Sequence, residues 1–307
     1  MEPSTSIRAS DKLSPYSART ERGQGTDHAA NLWQCDPQPH GSSITDLTLN
    51  DGRTIPAIGY GTYKVPPEDS ARLSREAIDA GYRLIDTAAF YANETGVGEA
   101  TGGTDIFVTT KLWRDAMGYD GALKAFDASA AKLPRIDLFL IHWPMPSEDR
   151  YVDTWKALVR LREDGRVGSI GVSNFSPDHL DRIVDATGVV PALNQIELHP
   201  HFQQRAARAA HERLGIVTQS WSPLGQGTLL TDPAIVAIAE AAGATPAQVI
   251  LAWHVQAGLG VIPKASSRAR IEENLAAEKV TLTAEQIAKI DAMDREDGRL
   301  GPNPDTL

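Results

Sequence analysis

The sequence predicts an α/β fold, a (β/α)8 TIM barrel with an N-terminal β-hairpin and a flexible N-terminal tail. Three observations predict it. Eight short apolar runs alternate with segments of helical period, the pattern of parallel strands joined by helical crossovers. No GxGxxG follows the first run, where an open doubly wound sheet would place its phosphate-binding glycines. Polar and ionisable residues stand at the ends of consecutive runs, the place where such barrels carry their chemistry.

Residues 1–43 are rich in Ser, Gly, Pro, Asp and Arg without apolar periodicity, so they read as a flexible, disordered tail; residues 44–307 read as a single barrel domain. Leu47-Thr48-Leu49 and Arg53-Thr54-Ile55 flank Asn50-Asp51-Gly52, a hairpin around an Asp-Gly turn. The strand runs are Ala57–Gly59, Arg83–Ile85, Ile106–Thr109, Asp137–Ile141, Ser169–Val172, Ala192–Ile196, Ile216–Gln219 and Gly260–Ile262. Between them, Ser176-Pro177 and Thr245-Pro246 set a cap before a first-turn proline, and Gly81, Gly165 and Gly188 follow helical runs. Thr283 with Gln286 makes a capping box for the last helix.

With 307 residues and 41% hydrophobic content, the chain can bury one large core. A net charge of -10 opposes nucleic-acid or anionic membrane partners and suits a small molecule. No apolar run is long enough to cross a bilayer. Cys35 is the sole cysteine, which excludes an intramolecular disulfide, a CxxC pair and a multi-cysteine metal site. A cytoplasmic monomer without a metal is the expectation.

Asp86, Lys111 and His142 follow the second, third and fourth runs, with Tyr91 one loop beyond Asp86. Each alone has a structural reading: a capping acid, a solvated cation, a packing ring. Together, on one face, they divide a reaction among themselves. A phenol is protonated at neutral pH and can act as an acid. A lysine beside it stabilises the phenolate left behind, and a carboxylate holds the lysine charged and aimed. An imidazole hydrogen-bonds the substrate oxygen, where charge develops as a carbonyl carbon receives hydride.

Gly59-Tyr60-Gly61-Thr62, Leu84-Ile85-Asp86-Thr87-Ala88 with Tyr91, Thr109–Trp113, Ile141–Pro144, Gly171–Phe175 and Asn194–Pro200 resemble, in order, the signatures of the aldo-keto reductase superfamily. The chain is most similar there to bacterial 2,5-diketo-gluconate reductase-like enzymes. The resemblance implies NAD(P)H-dependent reduction of small aldehydes, keto sugars or diketones. It matches Asp86, Tyr91, Lys111 and His142 to the catalytic tetrad, with Tyr91 as general acid. Ser173, Asn174 and Gln195 match residues that hold the nicotinamide carboxamide, and Trp221 the ring on which the nicotinamide stacks. Ser222, Leu224, Gly225 and Gln226 match the loop over the pyrophosphate. Lys264, Arg270, Glu273 and Asn274 match the positions for the 2'-phosphate and adenine. Two cations suit a phosphate dianion better than a ribose hydroxyl, so NADPH is expected over NADH, with NADH possible.

Three departures from the family pattern stand out. Ala265 replaces a hydroxyl residue beside the 2'-phosphate, Gly98–Asp105 is shortened so that the second barrel helix is truncated, and the tail after Asp297 lacks pocket aromatics. Tyr63, Trp113 and Trp143 are the candidate substrate walls, because they flank catalytic positions and binding sites favour aromatic linings. A cofactor-binding regulatory barrel with little turnover is the alternative; a metal-assisted hydrolase lacks a ligand set.

Overall fold

The computed structural model describes residues 45–307, so the expectation of a flexible tail over 1–43 lies outside the described residues. The hairpin pairs β1 (Asp46–Thr48) antiparallel with β2 (Thr54–Pro56) in the register Leu47↔Ile55. It lies at the end of the barrel where the strands begin: Asn50 donates to the Pro191 carbonyl at 2.9 Å, and Ser169 donates to Asp51 at 2.6 Å.

Eight parallel strands follow: β3 (Tyr60–Gly61), β4 (Leu84–Asp86), β5 (Phe107–Leu112), β6 (Leu138–Ile141), β7 (Ser169–Ser173), β8 (Leu193–Glu197), β9 (Val217–Trp221) and β10 (Gly260–Val261). They pair in sequence order, and the ring closes where Ile58 bridges Val261, with Gly59 N donating to Val261 O at 2.8 Å. Around them run α1 (Pro67–Ala80), α2 (Glu94–Thr101), α3 (Tyr119–Ala130), α4 (Tyr151–Glu163), α5 (Pro177–Thr187) and α6 (Arg205–Leu214). Then come α7 (Pro233–Ala242), α8 (Pro246–Gln256), α9 (Arg268–Leu275) and α10 (Ala284–Asp291).

Most strand boundaries lie within one or two residues of the sequence reading, and two differ more. The first run, Ala57–Gly59, supplies the closing seam, while the strand proper is Tyr60–Gly61. The third run extends past Thr109 to Leu112, because Thr110 and Lys111 interrupt the apolar text yet are buried. The caps fall where the sequence puts them: Thr245 with Gln248 and Thr283 with Gln286 form reciprocal boxes, and Gly81 and Gly188 end α1 and α5 in the left-handed region.

Alternation along each strand divides the apolar side chains. Leu84, Leu138, Leu140, Leu193 and Ile262 join Leu49 and Ile55 of the hairpin in one cluster. Phe139, Ile141, Ile170 and Val172 pack with Leu73, Phe126, Trp155 and Leu158 of the helical layer. A further cluster gathers α7 and α8 around Ile235, Ile250 and Trp253. Among the described residues no single helix is long and apolar enough to cross a membrane; α7 and α8 pass that test only as a pair, bent by 85°.

The shortened segment, Gly98–Asp105, supplies the second half of α2, an eight-residue helix, and leaves Asp105 exposed in the connection to β5. Brevity is matched by closeness: a Cβ on Gly98 would lie 1.9 Å from the Lys132 carbonyl oxygen, so only glycine admits this approach. Glu94 opens the helix and holds it to the barrel, accepting from Thr110 at 2.7 Å and pairing with Lys132 at 2.9 Å.

Buried histidines make the fold acid-sensitive. Asn194 Nδ2 donates to His211 Nε2 at 2.8 Å, so the ring proton sits on Nδ1 and is directed at Thr218 Oγ1, also at 2.8 Å. Burial lowers the His211 pKa to about 4 from 6.5. The unfolded chain therefore takes up this proton first, and stability falls as pH drops from 6.5 towards 4, by about 3 kcal/mol for this group. Thermal melts across that window should show a steeper decline in the native protein than in His211→Gln; parallel curves would rule out the assignment.

Candidate active site

At the mouth formed by the C-terminal strand ends, β4 finishes on Asp86, β5 presents Lys111 and β6 leads into His142. The chain leaving Asp86 makes a short helical turn, Ala89–Tyr91, that ends at Ala92 with φ of 58° and swings Tyr91 back over the strands. Lys111 Nζ lies 2.6 Å from Asp86 Oδ1, 2.9 Å from the Thr87 carbonyl oxygen and 3.5 Å from Tyr91 Oη. The Tyr91 and His142 rings meet edge-on at 5.6 Å between centroids. The four groups singled out from separate stretches of sequence thus share one site.

Electrostatics assign them different protonation behaviour. Burial of the Tyr91 hydroxyl, with the Asp86 charge adding to it, raises its pKa well above the ordinary phenol value. Burial and the Lys111 charge hold His142 well below the usual imidazole range, so it stays neutral. Lys111 is 0% exposed; burial lowers its pKa and the Asp86 carboxylate opposes that shift. Burial raises Asp86 in turn, against the pull of Lys111 and the amide of Gln195, which donates to Asp86 Oδ2 at 2.8 Å.

On the neighbouring strand ends, Ser173 Oγ donates to the Gln195 carbonyl at 2.7 Å, and Gln195 also reaches Gln219 at 2.8 Å. Asn174 adopts a φ of 64°, which asparagine tolerates, and its amide donates to the His142 carbonyl at 3.0 Å. Its oxygen accepts from Trp221 Nε1 at 2.8 Å, which joins the indole to the tetrad side of the mouth. Beyond Trp221, Ser222, Gly225, Gln226 and Gly227 all have positive φ, and the tight loop they form is closed by Gly225 N donating to the Ser222 carbonyl at 2.9 Å and Gly227 N to the Leu224 carbonyl at 3.0 Å.

Lys264 and Arg270 are exposed, and among the described residues neither makes an ion pair, whereas the neighbouring Arg268 pairs with Glu272. Glu273 is half-buried and Asn274 buried on α9 beside them. Ala265 is buried, its carbonyl accepting from Tyr60 Oη at 2.7 Å. Besides the paired Arg268, the cationic donors of this region are Lys264 and Arg270. Among the described residues no cluster of His, Cys, Asp and Glu could hold a metal.

Of the candidate substrate walls, Tyr63 packs on Tyr91 at 5.1 Å and Trp113 meets His142 edge-on at 5.0 Å, while Trp143 is half-buried against the core. Sequence reasoning missed Phe90, 51% exposed and stacked on Trp113 at 4.0 Å. Its place directly before Tyr91 was the available signal. It also missed Asn93, which accepts from Thr87 Oγ1 at 2.7 Å and donates to the carbonyls of Thr62 and Val65 at 3.0 and 3.1 Å. A separate cavity of about 440 Å³, lined by Phe175, Ile196, Phe202, Arg295 and Arg299, shares Asn174 with the site but contains none of the four central groups.

The chain is 50% identical over 268 residues to an aldo-keto reductase of Mycolicibacterium smegmatis, covering 85% of this chain and 97% of the relative. It is 41% identical to methylglyoxal reductase DkgA of Salmonella typhimurium over the same shares. The crystal structure of Gox0644 superposes with a TM-score of 0.85 at 52% identity, covering 87% of this chain and 99% of that one; a variant of Gox0644 has been solved in complex with NADPH. Residues 57–295 match the model of the Aldo/keto reductase family, and the chain belongs to that family.

Proposed function

We propose that this protein is an NADPH-dependent oxidoreductase of the class acting on CH-OH donors, which reduces aldehyde and ketone carbonyls to alcohols with Tyr91 as the proton donor. The observation that carries this is the chain of contacts from Asp86 through Lys111 to Tyr91, 2.6 and 3.5 Å, ending beside His142. The cofactor, when bound, supplies the hydride.

The chain's own residues do the rest. Tyr91 Oη and the neutral imidazole of His142 hold the carbonyl oxygen between them. As negative charge develops on that oxygen, the Tyr91 proton moves onto it and completes the alcohol. Lys111 then faces the phenolate, an opposite charge within 3.5 Å in a dry site, where such stabilisation is strongest. Asp86 keeps Lys111 charged and aimed. The raised pKa of Tyr91 keeps the proton in place until substrate charge calls for it.

Ser173, Asn174 and Gln195 would hold the carboxamide, Trp221 the nicotinamide face, and Ser222, Leu224, Gly225 and Gln226 the pyrophosphate. Lys264, Arg270, Glu273 and Asn274 would take the adenosine end. Tyr63, Phe90, Trp113 and Trp143 form an aromatic rim suited to small aldehydes, keto sugars and diketones. The 41% identity to a relative described as a methylglyoxal reductase supports dicarbonyls in that range. The protein is read as a single-domain, monomeric, cytoplasmic enzyme.

The test is consumption of NADPH, followed by its absorbance against a panel of aldehydes, diketones and keto sugars and repeated with NADH. Turnover with none of the panel would overturn the reading. Lys264→Met should raise KM for NADPH by about 10- to 100-fold, the weight of a charge-assisted contact, and leave KM for NADH nearly unchanged. An equal change for both cofactors would remove Lys264 from the 2'-phosphate.

A further inference from the structure

Glu197 ends β8 and is 1% exposed, yet nothing in the proposed chemistry uses it. Both of its oxygens are engaged by the C-terminal segment: Leu300 N donates to Oε1 at 2.6 Å and Gly301 N to Oε2 at 2.8 Å, with His199 Nε2 at 3.2 Å from Oε1. These bonds hold the carboxyl below the usual carboxylate range against the upward push of burial. A buried carboxylate that takes two adjacent backbone N–H groups grips one short stretch of chain in one orientation.

That stretch lies against Trp221. A Cβ on Gly301 would come within 2.6 Å of the outer edge of the indole and 2.9 Å of Glu197 Oε2. The indole is thus held at both ends, its nitrogen by Asn174 at 2.8 Å and its benzo edge by the backbone that Glu197 grips. The same segment is fastened upstream by Arg295 N on the His201 carbonyl at 3.2 Å and by the Arg299 guanidinium over the Phe202 ring at 4.6 Å.

We propose that Glu197 is a positioning residue: by clamping Leu300–Gly301 against Trp221, it fixes the plane of the indole on which the nicotinamide stacks. The inference rests on Trp221 being that stacking surface. Its consequence is selective. Loss of the clamp weakens ligands that carry a nicotinamide and spares those that carry only the adenosine end.

Affinities for NADP+ and for 2',5'-ADP, which lacks the nicotinamide, are measured by titration of the full chain in native, Glu197→Gln, Gly301→Ala and Trp221→Ala forms. Trp221→Ala should lower the NADP+ to 2',5'-ADP affinity ratio about tenfold, the weight of one ring contact. Glu197→Gln, which loses the charge but keeps the shape, should lower that ratio about three- to tenfold with 2',5'-ADP unchanged. Gly301→Ala, whose methyl would meet both the indole edge and Glu197 Oε2, should do the same and tests the clamp if Glu197→Gln does not fold. A ratio that falls in Trp221→Ala but is native in the folded clamp variants overturns the proposal. A ratio unmoved by Trp221→Ala overturns the stacking assignment beneath it, and equal loss of both ligands marks Glu197 as merely structural.

Discussion

Replacing Tyr91 with phenylalanine is expected to lower kcat for carbonyl reduction by about 10²- to 10⁴-fold, the range a single positioned general acid supplies. The substitution removes one oxygen and keeps the ring that packs on Tyr63 and His142. NADPH affinity should therefore stay within about twofold of native, and kcat should fall with kcat/KM, the pattern of an interaction made only in the transition state. Native turnover in the variant would show that another group gives the proton. A large loss of NADPH affinity would instead assign Tyr91 to cofactor binding.

The second large effect concerns the Asp86–Lys111 pair, 2.6 Å apart with side chains 1% and 0% exposed. Asp86→Asn strands an ammonium in a site that already lowers its pKa, and Lys111→Met strands a carboxylate. Each should cost about 3–5 kcal/mol of stability, because the remaining buried charge keeps only a neutral hydrogen-bond partner, the Thr87 carbonyl for Lys111 or the Gln195 amide for Asp86, and no opposite charge. The double variant should cost less than the sum, since no charge is left uncompensated. Denaturant unfolding of the four proteins measures this directly. Additive losses would mean that the two residues act independently, and single variants of native stability would mean that water reaches the pair. Activity should fall in all three, because Lys111 is pushed towards its neutral form in Asp86→Asn and is absent from the other two, so no full charge faces the phenolate.

The barrel was legible because its signals are local: apolar runs of three to five residues recur between helical segments, with prolines at the starts of α1, α5, α7 and α8 and glycines at the ends of α1, α5, α6 and α7. The central groups were legible because barrel strands end at one face, so residues far apart in sequence are delivered together. What escaped was tertiary in origin. Thr110 and Lys111 continue β5 although they break its apolar text, since their burial is satisfied by Glu94 and Asp86 rather than by hydrocarbon. Asn93 resembles any helix-opening asparagine until its four contacts to Thr62, Val65 and Thr87 are seen. The grip of Glu197 on Leu300–Gly301 spans more than a hundred residues, and no spacing rule reports it.

Asn93 has a consequence for how the mouth opens. Because it ties the turn carrying Tyr91 to the loop carrying Tyr63, that side of the entrance behaves as one rigid lip. Breathing that admits or releases a dinucleotide should then be confined to the rest of the rim, which includes the Ser222–Thr231 loop after β9 and the chain around Gly301 that lies against Trp221. Substitutions that speed or slow exit should cluster there, and those near Asn93 should alter the chemical step instead.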